Sequence, residues 1–134
     1  MWKLAAAGVC CAAGVLCASV SAGVPVPSVV QRGFLTPSRN IACNAGPNRG
    51  QALLVCTVFS EATTRGQKLW YLRAYGRAGS GFVQGNIATD YPALRYGHTW
   101  LWHGIRCVSR KTGLTCTNRD RRGFSLSRAR QRIF

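Results

Sequence analysis

Acidic residues are almost absent from this chain. Its 134 residues contain 3 Asp+Glu against 18 Lys+Arg, which gives a formal net charge of +15 at pH 7. This imbalance argues against a site for cationic ligands and against mimicry of an acidic partner. It also leaves little for acid–base catalysis, because the only carboxylate side chains, Glu61, Asp90 and Asp120, lie far apart in the sequence. A paired-carboxylate hydrolase would need Glu61 and Asp90 to meet across the fold.

Histidines and closely spaced cysteines are also scarce. His98 and His103 are the only histidines, and their spacing differs from the i, i+4 pair of helical zinc sites. On one strand they would lie on opposite faces. No C-x2-C pair of the kind that binds zinc occurs. Ser80 lies between two glycines, as in a flexible turn, and no G-x-S-x-G marks a nucleophile. The sequence therefore predicts no metal site, no cofactor and no catalytic residues.

Charged side chains are missing from residues 4–20, which are mostly Ala, Val, Leu, Gly and Cys. This run follows Lys3 and ends at small residues around Ala22, as in a signal peptide that is cleaved after that position. A transmembrane helix is the alternative, but the run is at the lower length limit for spanning a bilayer. We therefore predict a signal peptide at 1–22, an extended leader at 23–31, a secreted or periplasmic location, and no membrane segment after cleavage.

Cleavage would leave four cysteines: Cys43, Cys56, Cys107 and Cys116. An even number in an oxidising compartment predicts two disulfides. A turn at 110–113 would place Cys107 opposite Cys116 on adjacent antiparallel strands, so we favour local pairing, with Cys43 bonded to Cys56. Two other connectivities stay open: Cys43–Cys107 with Cys56–Cys116, and Cys43–Cys116 with Cys56–Cys107.

Short β-prone runs and turn formers occupy the rest of the chain, and the apolar content of 47% argues against disorder. The predicted strands lie at 40–43, 53–59, 68–75, 98–109 and 114–118. Residues 44–50 are rich in turn formers, 76–86 predict a loop or broken hairpin, and 88–96 predict a connection. We therefore expect residues 32–134 to form a single mostly-β domain, an antiparallel β sandwich or barrel-like sheet with two disulfides.

The C-terminal tail has two interpretations. Leu126, Ala129 and Ile133 recur at helical spacing, which favours a short helix. A strand would instead place the alternate arginines of the tail on one face. The sequence leaves both alternatives open.

Several segments form a specific combination. They are F-L-T-P-S-R-N-I-A-C at 34–43, L-R-Y-G-H-T-W at 94–100, and the segments 104–107, 113–118 and 123–128. Together they resemble a family of small secreted bacterial proteins that has no assigned activity. The resemblance spans about residues 34 to 130. It implies a β-rich secreted domain and supplies no catalytic residues.

A cluster of basic residues is the feature with the clearest functional meaning. Nine lie in the last part of the chain and are opposed there by Asp120 alone: Arg106, Arg110, Lys111, Arg119, Arg121, Arg122, Arg128, Arg130 and Arg132. Guanidinium groups bind phosphate, sulfate and carboxylate through paired hydrogen bonds. Aromatic residues are candidates for a stacking surface beside them: Trp70, Tyr75, Tyr96, Trp100 and Trp102.

These observations favour an exported, non-enzymatic basic binding module. Its expected partner is an anionic envelope polymer, which is an envelope polysaccharide, lipopolysaccharide phosphate or extracellular nucleic acid. The alternative is an inhibitor or immunity-type protein that binds an acidic exported protein. A hydrolase with an unrecognised site is a third hypothesis. The sequence makes no prediction of the oligomeric state.

Overall fold

The computed structural model describes residues 32–134, which fold into two five-stranded antiparallel sheets. The predicted fold class is confirmed, because the described residues contain two antiparallel sheets, two disulfides and no helix. Accordingly, this part of the chain has no helix able to cross a bilayer. The tail forms a strand, so its helical alternative is wrong. The predicted signal peptide at 1–22 and leader at 23–31 lie outside the described residues.

The first sheet is a meander in which each strand pairs with the next along the chain. Its strands are β1 (Arg32–Leu35), β2 (Ile41–Asn48), β3 (Gln51–Thr63), β4 (Gly66–Arg73) and β5 (Gly79–Val83). The turn predicted at 44–50 is therefore shorter, and only Arg49 and Gly50 reverse the chain, both with positive φ. Among the described residues β1 pairs with β2 only up to Ala45, so Pro47 lies beyond the described pairing of these two strands.

The second sheet is also a meander. Its strands are β6 (Thr99–Trp102), β7 (Ile105–Arg110), β8 (Gly113–Thr117), β9 (Gly123–Leu126) and β10 (Gln131–Ile133). The continuous strand predicted at 98–109 is wrong, because His103 and Gly104, with φ of 42° and 85°, form a hairpin turn. Before the turn the even-numbered residues of β6 face inward, and after it the odd-numbered residues of β7 do. Trp102 pairs with Ile105, which explains why both parities of this segment carry apolar side chains.

The core lies between the sheets. Its largest buried side chains come from both of them and include Leu54 and Leu72 on one side and Leu114 and Phe124 on the other. Burial of one apolar face per sheet is the main driving force for this packing.

Both disulfides lie within this core and join directly opposed residues of one hairpin. Cys43 pairs with Cys56 across β2 and β3, and Cys107 pairs with Cys116 across β7 and β8. In each pair the Cα atoms are 4.1 Å apart. The local connectivity is confirmed, as is the hairpin register that places Val108 opposite Thr115.

The connection between the sheets, residues 84–98, covers the outer face of the first sheet. Leu35 and Thr57 lie outside the central core, yet each is only 1% exposed. The connection reaches the edge of β1, where the amide of Leu35 donates to the carbonyl of Pro92 at 3.0 Å and the amide of Leu94 donates to the carbonyl of Leu35 at 2.7 Å. The first sheet is therefore buried on both faces in this region.

Candidate anion-binding surface

The second sheet and its turns carry all nine predicted basic residues, and every one of them is exposed. We call this set the basic surface: Arg106, Arg110, Lys111, Arg119, Arg121, Arg122, Arg128, Arg130 and Arg132. The structure divides the set between the two ends of the sheet and its outer face. Arg106 alternates with the inward-facing Ile105 and Cys107, which places it on the outer face.

One end of the second sheet brings together four of the nine cations. This end, here called the Arg110 end, consists of the β7–β8 and β9–β10 turns and contains Arg110, Lys111, Arg128 and Arg130. A cavity of about 190 Å³ lies here. Three cations line it, together with the hydroxyl-bearing residues Thr36, Ser38, Tyr96, Thr112 and Ser127. Cationic and hydroxyl donors in one concavity are suited to a phosphate, sulfate or carboxylate.

Hydrogen bonds fix the β9–β10 turn in place. The Ser127 Oγ accepts from the amide of Arg130 at 3.0 Å and donates to the carbonyl of Arg130 at 3.0 Å. The side-chain amide of Gln131 donates to the carbonyl of Ser127 at 2.7 Å. Because the backbone is already ordered, binding an anion through Arg128 and Arg130 requires less loop ordering.

A second cavity joins the Arg110 end to the outer face. It has about 300 Å³ and is lined by Thr112, Ser125, Ser127, Arg130 and Arg132. It shares Thr112 and Ser127 with the first cavity, so the two concavities are adjacent. Its floor is polar, since Thr115 and Ser125 on neighbouring strands are hydrogen-bonded through their hydroxyls at 3.2 Å. The result is a basic track rather than an isolated pocket.

The opposite end of the second sheet, here called the Arg119 end, consists of the β8–β9 turn with Arg119, Arg121 and Arg122. Asn118 organises this turn. Its Oδ1 accepts from the amides of Asp120 and Arg122 at 3.1 Å. Its Nδ2 donates to the carbonyl of Arg73 at the end of β4 and to the carbonyl of Gly76 in the β4–β5 loop. An Asn that bonds backbone groups two residues ahead is a known turn signal, and it could have identified Asn118 from the sequence.

An aromatic cleft of about 400 Å³ lies beside the Arg119 end, between the two sheets. Tyr75, Trp102 and His103 form its aromatic wall, and Pro47 and Ala52 belong to its aliphatic wall. The His103 ring meets Trp102 edge-on, with the ring centroids 4.7 Å apart. These residues come from three hairpins, so their proximity has no signal in the linear sequence.

The five aromatic candidates for a stacking surface do not lie together. Trp70 is buried at 2% exposure, and Tyr96 lines the cavity at the Arg110 end. Trp100 packs against Phe34, with centroids 5.2 Å apart. Of the five, Tyr75 and Trp102 line the aromatic cleft, and Trp100 stacks on Trp102 with centroids 6.3 Å apart. The five candidates therefore do not form one stacking surface.

The carboxylates have separate environments. Glu61 accepts from the side-chain amide of Gln131 at 3.4 Å, Asp90 is exposed in the connection, and Asp120 accepts from the amide of Gly76 at 2.8 Å. Asp120 thus ties two loops together rather than forming an acid–base pair. Among residues 32–134 no three His, Cys, Asp or Glu side chains are grouped as metal ligands would be.

Comparison with known proteins gives one match. Residues 75–134 are similar to a family of unknown function, DUF6636. The matched range contains the whole second sheet and the segments 94–100, 104–107, 113–118 and 123–128, whereas 34–43 precedes it. No curated protein and no solved structure matches the chain. Since the family has no assigned function, the match assigns no role to any residue.

Proposed function

We propose that this protein is an exported, non-enzymatic binding module that contacts an anionic envelope polymer through the basic surface. The observation that carries the proposal is the basic track, in which two adjacent cavities are lined by five of the nine cations of the basic surface. A polymer with repeated charges gains from a row of cations because each contact releases counterions. A single small anion would need only one of the two cavities.

The use of the acidic residues also supports this proposal. Asp120, the one acidic residue between Arg106 and Arg132 in the sequence, is bonded to the amide of Gly76. It therefore belongs to the structural link between the sheets. The positive potential of the surrounding arginines recruits polyanions.

Paired variants test the proposal. Arg110→Gln with Arg128→Gln removes two cations of the track, and Arg32→Gln with Arg65→Gln removes two exposed cations of the first sheet at the same cost in net charge. Binding to polygalacturonate and to polyphosphate is measured by calorimetry over a range of salt concentrations. The track variant is expected to reduce the slope of log K against log salt by about 1.5. The first-sheet variant should leave most of the slope in place.

Two outcomes would contradict the proposal. Equal losses in both paired variants would mean that binding follows net charge alone. Absence of polymer binding, combined with capture of one acidic protein at a defined stoichiometry, would favour the inhibitor or immunity-type alternative.

Export is tested separately by N-terminal sequencing of the secreted or periplasmic protein. The uncharged run at 4–20 and the small residues near Ala22 predict that the mature chain begins at Gly23. The two disulfides are in keeping with an oxidising compartment. Retention of Met1 in exported protein would refute this cleavage site.

A further inference from the structure

Arg119 is held at the rim of the aromatic cleft by its surroundings. Its guanidinium carbon lies 5.7 Å from the centre of the Tyr75 ring, and its amide donates to the carbonyl of Ala74 at 3.2 Å. Its side chain also packs against Gly104, where any added Cβ would collide with it. Gly104 belongs to the same turn as His103, so the stem of Arg119 bridges two walls of the cleft. The cation is therefore in position before a ligand binds.

The cleft combines three chemical properties. Tyr75 is 56% exposed and Trp102 is half-buried, so both offer ring surface to a ligand. His103 and Gln51 line the cleft and supply polar groups for hydroxyls. Its volume of about 400 Å³ lies in the range of small-molecule sites. A ligand that fits has an apolar face, several hydroxyls and one negative charge near the rim.

We infer that the aromatic cleft binds one acidic sugar unit, a hexuronic acid, with the pyranose ring against Tyr75 and Trp102 and the carboxylate on Arg119. This inference rests on the proposed function, and it identifies the anionic polymer as an acidic polysaccharide. The cleft recognises one sugar unit, whereas the basic track contacts the negative charges of other units along the polymer. The two sites lie at opposite ends of the second sheet.

A nucleic acid fits this arrangement less well. Sequence-tolerant binding of single strands uses several aromatic platforms, on which successive bases stack along a basic groove. Here Tyr75 and Trp102 line one cleft, and the Trp100 ring that stacks on Trp102 is itself packed against Phe34. Trp70 is buried and Tyr96 lies at the Arg110 end. One ring-sized site beside one fixed cation matches a single sugar unit better than a row of bases.

The test measures binding of three defined probes to the mature protein by tryptophan fluorescence and calorimetry: trigalacturonate, the neutral galactose trimer and a thymidine trinucleotide. We expect trigalacturonate to bind most tightly and to change the tryptophan emission. Tyr75→Ala should weaken both sugar trimers about tenfold, because it removes the exposed ring of the cleft. Arg119→Gln should weaken trigalacturonate about fivefold and leave the neutral trimer unchanged.

Matched controls use similar residues elsewhere. Tyr71 is a partly exposed tyrosine in the first sheet, and Arg65 lies 5.9 Å from the Phe82 ring much as Arg119 lies over Tyr75. Tyr71→Ala and Arg65→Gln should therefore leave trigalacturonate binding within about twofold of the unmodified protein. Circular dichroism and non-reducing peptide mapping establish that each variant keeps its fold and disulfides.

The outcomes separate this inference from the proposed function. Full trigalacturonate affinity in Tyr75→Ala, or no binding to the unmodified protein, would overturn the acidic-sugar site while polymer binding through the track could persist. Tighter, Tyr75-dependent binding of the trinucleotide would overturn it in favour of a base. Loss of trimer binding in Tyr75→Ala, with polymer affinity unaffected by Arg110→Gln and Arg128→Gln, would retain the cleft and overturn the track.

Discussion

The two sheets have the same construction, but their outer faces differ in exposure. Each is a five-stranded meander with one disulfide between directly opposed residues of a hairpin. The outer face of the first sheet is crossed by the connection that follows β5, which buries Leu35 and Thr57. The outer face of the second sheet keeps Arg106 and Arg132 exposed. Among residues 32–134, therefore, one outer face is buried by the connection and the other stays exposed.

This difference affects which outer face can carry unpaired charge. A charged side chain beneath the connection would lose its hydration, which is costly unless the charge is paired. The same side chain on the second sheet stays in water and retains its interaction with anions. The outer face that residues 32–134 leave open is therefore the one that can carry the basic side chains of the proposed function.

The largest effect is expected in the shared core. Phe124→Ala removes a fully buried ring of the second sheet and should lower the free energy of unfolding by about 3–5 kcal/mol. Urea denaturation provides the measurement. Phe82→Ala, which removes a 44% exposed ring of the first sheet, is the control and should cost about 1 kcal/mol or less. Similar losses in the two variants would mean that Phe124 is not part of the core.

Removing each disulfide in turn tests whether the two cross-linked hairpins contribute equally to stability. Replacing both cysteines of either pair by alanine should cost about 3 kcal/mol, because the closed loops are of similar, short length. Thermal unfolding of Cys43→Ala with Cys56→Ala is compared with that of Cys107→Ala with Cys116→Ala. A tryptic peptide that joins Cys43 to Cys107 or Cys116 under non-reducing conditions would contradict the pairing itself.

Gly33 tests the contact between the first sheet and the connection that covers its outer face. A Cβ at Gly33 would lie 2.6 Å from the carbonyl oxygen of Cys43 and 2.8 Å from the Tyr91 ring of the connection. Gly33→Ala should therefore cost about 1–3 kcal/mol through displacement of β1 or the connection. Gly46→Ala is the control, because a Cβ there meets nothing within 4 Å. Faster amide exchange at Leu35 and Leu94 in Gly33→Ala alone would localise the effect.

The smallest change in stability is expected on the open face. Arg106→Gln should alter the free energy of unfolding by less than about 0.5 kcal/mol, since the side chain is exposed. It should nevertheless weaken polymer binding at low salt, because one counterion-releasing contact is lost. A clear loss of stability with unchanged polymer affinity would show that Arg106 acts in the fold rather than in binding.

The secondary structure was predictable where one strong local signal was present. Gly113, with φ of 141°, supports the β7–β8 turn, and this turn alone correctly predicted the opposition of Cys107 and Cys116. The prediction of one strand at 98–109 is wrong because apolar residues at both parities also fit a single strand that is covered on both faces. The alternative, a two-residue turn at His103 and Gly104 that shifts the parity, produces the same pattern.

The candidate site was only partly predictable. The type, number and exposure of its cations follow from the sequence, because nine arginines and lysines with one nearby acid have too few partners to be buried. The sequence does not show which of these cations line the basic track and which lie beside the aromatic cleft. Tyr75 and Arg119 are distant in sequence and meet only because the β4–β5 loop and the β8–β9 turn lie at the same end of the sandwich.

Residue type, alternation and turn chemistry were enough to predict the β class, the opposition of Cys107 and Cys116, and the excess of positive charge. These signals act over a few neighbouring residues. Three features follow only from the packing of the fold: which sheet the connection covers, which tryptophans reach solvent, and which arginine lies beside the aromatic cleft. Those features depend on how two separately formed sheets stack and where the connection crosses them, and packing of distant surfaces leaves no periodic trace in the chain.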